Sequence, residues 1–94
     1  MPEADVGELD ELLRALASPH RRRLLSLLWD GERNAGELAD ELGLAPASTS
    51  EHLKVLRKVG LVDMRVVGTF RLYRARPAAV DRLRRLLDRV FPGE

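Results

Sequence analysis

The side chains of this 94-residue chain best suited to chemistry lie in the stretch "PASTSEHLKVLRKVG", residues 46–60. Three successive hydroxyl residues, Ser48, Thr49 and Ser50, precede Glu51, His52, Lys54 and Lys58. Ser and Thr compete locally for the backbone and are neutral to unfavourable inside helices, so a helix that only packs has no need of them. On a helical wheel Thr49, His52, Leu53, Leu56 and Val59 share one broad face. Ala47, Ser50, Glu51, Lys54 and Lys58 share the other, with Ser48 and Arg57 at its borders. Everything on this second face is small, hydrogen-bonding or basic. Such a front suits a groove about 12 Å wide: hydroxyls bond phosphates or base edges, lysines neutralise phosphates, and Glu51 accepts from a cytosine amino group. The plain alternative is a solvated surface helix with Ala45 as a poor N-cap.

Other chemistries find little support. The absence of cysteine removes disulfides, thiolate metal sites and a thiol nucleophile together. The two histidines, His20 and His52, sit in helical stretches, and no glycine-rich phosphate loop is present, so catalysis is set aside. No metal and no cofactor are expected.

The elements that must position the hydroxyl-rich stretch are readable from periodicity. Val6, Leu9, Leu12, Leu13 and Leu16 recur at helical spacing, giving a first helix from about Val6 to Ala17 with acids in its first turns. Ser18 and Pro19 suit the N-cap and first position of a second helix, ending near Trp29. A third, "GELADELG", stops at Gly43, and Leu44-Ala45 leads to Pro46, the start of the fourth. Helix, short glycine-containing turn, helix is a helix-turn-helix. After Gly60, "LVDMRVV" and "FRLYRA" flank Gly68-Thr69 as a two-stranded hairpin, and a last helix runs from Pro77 to about Phe91. The expected order is α-α-α-α-β-β-α. That is a mainly helical winged helix-turn-helix, read as one domain over residues 1–94.

The net charge of +1 conceals a segregation. Residues 1–17 carry five acids against Arg14, a balance of −4, whereas residues 46–76 carry seven basic residues against Glu51 and Asp63, a balance of +5. A basic segment of this kind is the footprint of a phosphate-binding face, or else a solvated surface. Within the hairpin, Arg65, Arg71 and Arg74 alternate with apolar residues and could reach a neighbouring backbone. No apolar run approaches the roughly 20 residues that span a bilayer, and the acidic N-terminus is no signal peptide, so a cytoplasmic location without membrane contact is expected.

The segments "LASPHRRRLLSLL", "GELADELGL", "STSEHLKVLRKVGLV" and "GTFRLYRARPAAVDRLRRLL" resemble the ArsR/SmtB family of winged-helix transcriptional repressors, from about Leu12 to Leu87. The resemblance implies a homodimer on an inverted-repeat operator of double-stranded DNA, released by an effector. It implies DNA-facing positions at Ala47, Ser48, Ser50 and Glu51, with Lys54 beside them. It also implies a dimer interface on the first and last helices, where Val6, Leu9, Leu13, Val80, Leu83, Leu87 and Val90 form apolar stripes. Two departures stand out. Val67 and Thr69 flank Gly68 where family wings often carry basic residues, and the last helix offers Asp81 and Asp88 without histidine. The chain therefore resembles members without a metal site, regulated by a small molecule, a protein or its own concentration. Trp29 either lines an effector pocket or is a large residue at the core's edge. A second function class, a winged helix that binds protein instead of DNA, is opposed by the basic segment.

Overall fold

The computed structural model describes residues 1–93. Its order is α1 (Glu3–Ala15), α2 (Pro19–Leu27), β1 (Arg33–Asn34), α3 (Ala35–Leu42), α4 (Pro46–Lys58), β2 (Val62–Val67), β3 (Phe70–Ala75) and α5 (Pro77–Val90). The winged helix-turn-helix is present. The expected order needs one correction: β1 pairs antiparallel with β3, Arg33 opposite Tyr73 and Asn34 opposite Leu72, so the hairpin is part of a three-stranded sheet, β1-β3-β2. A strand of two residues is too short to carry a period-two signal. α1 also starts three residues before Val6, because Pro2 with its extended backbone ends the chain's approach and its carbonyl accepts from Asp5 and Val6 N–H.

Local chemistry sets the remaining boundaries. Ser18 caps α2, its hydroxyl accepting from Arg21 N–H at 3.3 Å, with Pro19 in the first position. Asn34 caps α3 reciprocally: Glu37 N–H donates to Oδ1 at 2.9 Å and Asn34 Nδ2 donates to the Glu37 carboxylate at 2.7 Å. α3 ends at Gly43 in the left-handed region (φ 63°), with Leu44 N–H returning to the Ala39 carbonyl at 3.1 Å. α4 repeats the device at Gly60 (φ 80°), where Leu61 N–H bonds the Leu56 carbonyl at 3.0 Å. These two stops fix where α4 begins and how the chain turns back into β2.

The core lies beneath the helix-turn-helix. Leu24, Leu28, Leu38, Leu53, Leu56, Leu61 and Leu86 are fully buried in it, each worth about 1.5–3 kcal/mol of burial. Ala75 N–H bonds the Leu28 carbonyl, and Arg76 N–H that of Leu61, tying the end of the sheet to α2 and α4. α1 and α5 meet through charge as well. Arg82 reaches Glu8 at 2.8 Å and Asp5 at 3.1 Å, and Arg89 also pairs with Asp5. The sequence reading assigned these acids only to their own helix dipole. The radius of gyration is 14.3 Å, against about 12 Å for a compact chain of this length. The extra length leaves apolar surface on the terminal helices: Val6, Leu13, Val90 and Phe91 are exposed.

Candidate nucleic-acid interface

α4 turns the wheel into a surface. Thr49, Leu53 and Leu56 point into the core, while Ala47, Ser48, Ser50, Glu51, Lys54, Arg57 and Lys58 are exposed. Of the three hydroxyls, Thr49 is thereby withdrawn: it is fully buried and its Oγ1 donates to the Ala45 carbonyl at 3.2 Å, satisfying it within the first turn. Ser48 and Ser50 remain at the surface, their hydroxyls without a hydrogen-bond partner among the described residues.

The hairpin sorts its arginines by register. Opposed residues share a face, so the pairs Val66–Arg71 and Met64–Tyr73 lie on one side, and Arg65–Leu72 and Asp63–Arg74 on the other. Arg71 and Tyr73 face α4. With Ser50, Glu51, Lys54 and Arg57 they line a cleft of about 350 Å³ between helix and wing. Ser50, Glu51, Lys54 and Arg71 are therefore brought together. Arg65 and Arg74 are not: Arg65 makes a bidentate pair with Glu32 at 2.7 and 2.9 Å, and Arg74 lies 3.8 Å from Asp63. The Arg65 guanidinium holds the Glu32 carboxyl below its ordinary range, chiefly through those hydrogen bonds. Among the described residues Arg71, Arg57 and Lys54 have no carboxylate within salt-bridge distance. Arg57 belongs to this surface by its spacing, three residues beyond Lys54 and seven beyond Ser50, a signal that its border position on the wheel obscured.

Behind α4 sits a polar hub absent from the sequence reading. Arg21, in the first turn of α2, donates from Nε to the Ala15 carbonyl at 2.5 Å and from Nη2 to the Arg14 carbonyl at 3.1 Å. Arg22 likewise bonds the Leu16 carbonyl at 2.8 Å. The available signal was a misfit: arginines at the start of a helix oppose its dipole, but here they serve the C-terminal carbonyls of α1. A third Arg21 contact, Nη1 to His52 Nδ1 at 3.3 Å, reaches α4. Guanidinium only donates, so Nδ1 must accept and His52 is neutral with its proton on Nε2. Burial, then the charge of Arg21 and that of His20, whose ring centroid lies 5.5 Å away, hold the His52 pKa below its ordinary 6.5. No cluster of three or more His, Asp or Glu residues that could hold a metal occurs among the described residues. Trp29 is 42% exposed and, with Leu16, Leu25 and Val80, lines an open cleft of about 470 Å³.

The sequence model described as "Bacterial regulatory protein, arsR family" matches residues 18–64, the span from the α2 cap into β2. The chain is 40% identical over 82 residues to the HTH-type transcriptional regulator Rv2034 of Mycobacterium tuberculosis, covering 87% of this chain and 77% of that protein. The chain belongs to the arsR family. It is 35% identical to the transcriptional activator HlyU of Vibrio cholerae, over 85% of this chain and 74% of that protein. A solved ArsR-like transcriptional regulator from Rhodococcus sp. RHA1 superposes with a TM-score of 0.82 at 30% identity, covering 90% of this chain and 80% of that one. This arsR-family chain is accordingly a transcriptional regulator and not an enzyme, and membership implies DNA binding. No helix among its described residues is long and apolar enough to cross a membrane.

Proposed function

We propose that this chain is a homodimeric, sequence-specific repressor acting in the cytoplasm, placing α4 in the major groove of an inverted-repeat operator. One observation carries the reading. The open front of α4 and the inner face of the wing converge on a cleft whose Lys54, Arg57 and Arg71 have no acidic partner among the described residues. Small and hydroxyl side chains let the backbone approach base edges, and the three cations track phosphates on either side. Ala47, Ser48, Ser50, Glu51 and Lys54 are the base-facing set, with Lys58 on the backbone. Arg65 and Arg74, on the far face of the hairpin, contribute less. Dimerisation draws on Val6, Leu13 and Val90, exposed on α1 and α5, flanked by the half-buried Val80 and Leu87. Leu9 and Leu83, equally part of the apolar stripes, are spent inside the protomer's own core.

Two half-sites on one face of the duplex would lie about 34–36 Å apart. Selection of bound duplexes from a random library at two salt concentrations tests this. An inverted repeat with one-turn spacing is expected, with affinity falling steeply as salt rises. Lys54→Glu should abolish the selected binding while leaving the unfolding temperature unchanged, since Lys54 is exposed. A promoter fusion carrying that operator should rise when the protein is removed; a fall would make the regulator an activator. The protein-binding alternative has one observation in its favour, an apolar wing tip with Val66 63% and Phe70 58% exposed. Salt-insensitive or absent duplex binding would turn the assignment to it.

A further inference from the structure

Between the C-terminal halves of α1 and α4 lies a second cleft, of about 430 Å³, on the flank of α4 next to the proposed DNA-facing surface. Its floor is apolar, with Val55 and Val59 from α4. Its walls carry Arg14 and Glu11 from α1, Arg21 from α2 and Lys58 from α4. None of these charged side chains has an ion-pair partner among the described residues, which leaves three cations against one acid around an apolar patch. We propose that this cleft binds a small organic anion, a carboxylate on an aromatic or aliphatic body, and that its occupancy weakens DNA binding. The second half of this proposal rests on the DNA-binding function argued above.

The chemistry follows from Arg21. Of its five N–H groups three are spent, on the Ala15 and Arg14 carbonyls and on His52 Nδ1. One hydrogen on each terminal nitrogen is left to meet a carboxylate. The same guanidinium bonds both the end of α1 and His52 on α4, so an anion that draws it outward through its two free hydrogens pulls on the contacts that seat the recognition helix. A volume of this size suits a ligand of a dozen or so heavy atoms, with Val55 and Val59 covering its apolar body and Arg14 and Lys58 closing on its charge. A backbone phosphate at the rim could engage Lys58, as proposed above, but would leave Val55 and Val59 uncovered, which favours the small molecule over duplex DNA as the occupant of the cleft itself.

The test uses 2-naphthoate as probe and 2-naphthalenemethanol as its neutral analogue, titrated into the isotopically labelled full chain and followed by amide and side-chain NMR shifts. Naphthoate should perturb Arg14, Arg21, Val55 and Lys58 and bind about tenfold or more tightly than the alcohol, the difference expected of hydrogen bonds to a charged group. Arg14→Gln should erase that preference; the exposed Arg14 side chain makes no hydrogen bond or ion pair among the described residues, so the fold is undisturbed. Shifts centred on Trp29, or equal affinity for the two probes, would overturn the site. On the selected operator, naphthoate should release the wild-type protein but not Arg14→Gln, whose DNA affinity should equal that of wild type. If Arg14→Gln instead weakens DNA binding and lowers the salt slope by about one, the cleft holds a backbone phosphate and the effector assignment is wrong. Probe binding is read without DNA, so a site that binds naphthoate in a protein that binds no operator would upset the regulatory reading and leave the anion site standing.

Discussion

Arg21 on α2 donates to His52 Nδ1 on α4 across 3.3 Å, and this contact exists only while His52 is neutral. Protonation would remove the acceptor and set a cation against Arg21, with the His20 ring centroid 5.5 Å away. Because the folded pKa lies below the ordinary 6.5, the unfolded chain takes the proton more readily. The contribution of His52 to stability is therefore complete above 6.5 and is lost as pH falls below it toward the folded pKa. Thermal unfolding followed between pH 7.5 and 5.5, above the carboxylate range, should show the wild type losing stability faster than His52→Asn. The asparagine keeps an acceptor near the Nδ1 position without a titrating proton. Parallel curves would remove His52 from this role.

The two faces of the hairpin predict unequal arginines. Arg71 faces α4 with no acidic partner among the described residues, whereas Arg65 is already held in a bidentate pair by Glu32. Arg71→Ala should weaken operator binding about tenfold and lower the salt slope by about one. Arg65→Ala, measured in the same filter or anisotropy titration, should change affinity by less than the Arg71 substitution. Equal losses would mean that the wing meets DNA with both faces.

The helix-turn-helix and the wheel of α4 were readable because their signals are local: Pro46, Gly43 and Gly60 mark the ends, and the inward run of Leu53 and Leu56 fixes the rotation. The hairpin was readable from Gly68-Thr69, and Gly68 does occupy the turn at a positive φ of 59°. What escaped were contacts made across distance in the sequence. Nothing local couples Arg65 to Glu32, 33 residues away, or Arg21 to His52, 31 residues away. The strand Arg33–Asn34 escaped for the same reason, since its identity lies in its pairing with Tyr73 and Leu72. In the apolar stripes of α1 and α5 the period shows which residues share a face, but not which part of that face the protomer uses for itself.

Thr49 and Ser50 are neighbours with opposite expected phenotypes. Thr49 is buried and its hydroxyl is bonded to the Ala45 carbonyl, while Ser50 is exposed beside Lys54 and Arg71. Thr49→Val keeps the volume and removes the hydrogen bond, so it should cost about 1 kcal/mol of stability in denaturant unfolding. It should leave the affinity of the folded protein for its operator close to wild type. Ser50→Ala should do the reverse, leaving the unfolding midpoint in place and weakening or relaxing operator recognition. A Ser50→Ala protein with unaltered selection would take Ser50 out of the base-facing set.

Leu9 and Leu13 lie one turn apart on α1 and answer different questions. Leu9 is 8% exposed and packs in the protomer's core; Leu13 is 44% exposed. Leu9→Ala deletes buried volume and should cost about 2–5 kcal/mol of unfolding free energy whether or not the protein dimerises. Leu13→Glu buries nothing in the isolated protomer, so a protomer on its own should keep its helical circular dichroism. In a dimer built on α1 and α5 the same glutamate would be forced into an apolar seam without a partner, and a stripped charge of that kind is expelled instead of buried. Sedimentation velocity should then show wild type as a dimer and Leu13→Glu as a folded monomer. Operator affinity should drop steeply in step, because each protomer would have to hold its half-site alone. If Leu13→Glu sediments as wild type does, the apolar flank of α1 is solvent-facing in the assembly, and the subunit contact must be carried by α5 through Val90 and Phe91 instead.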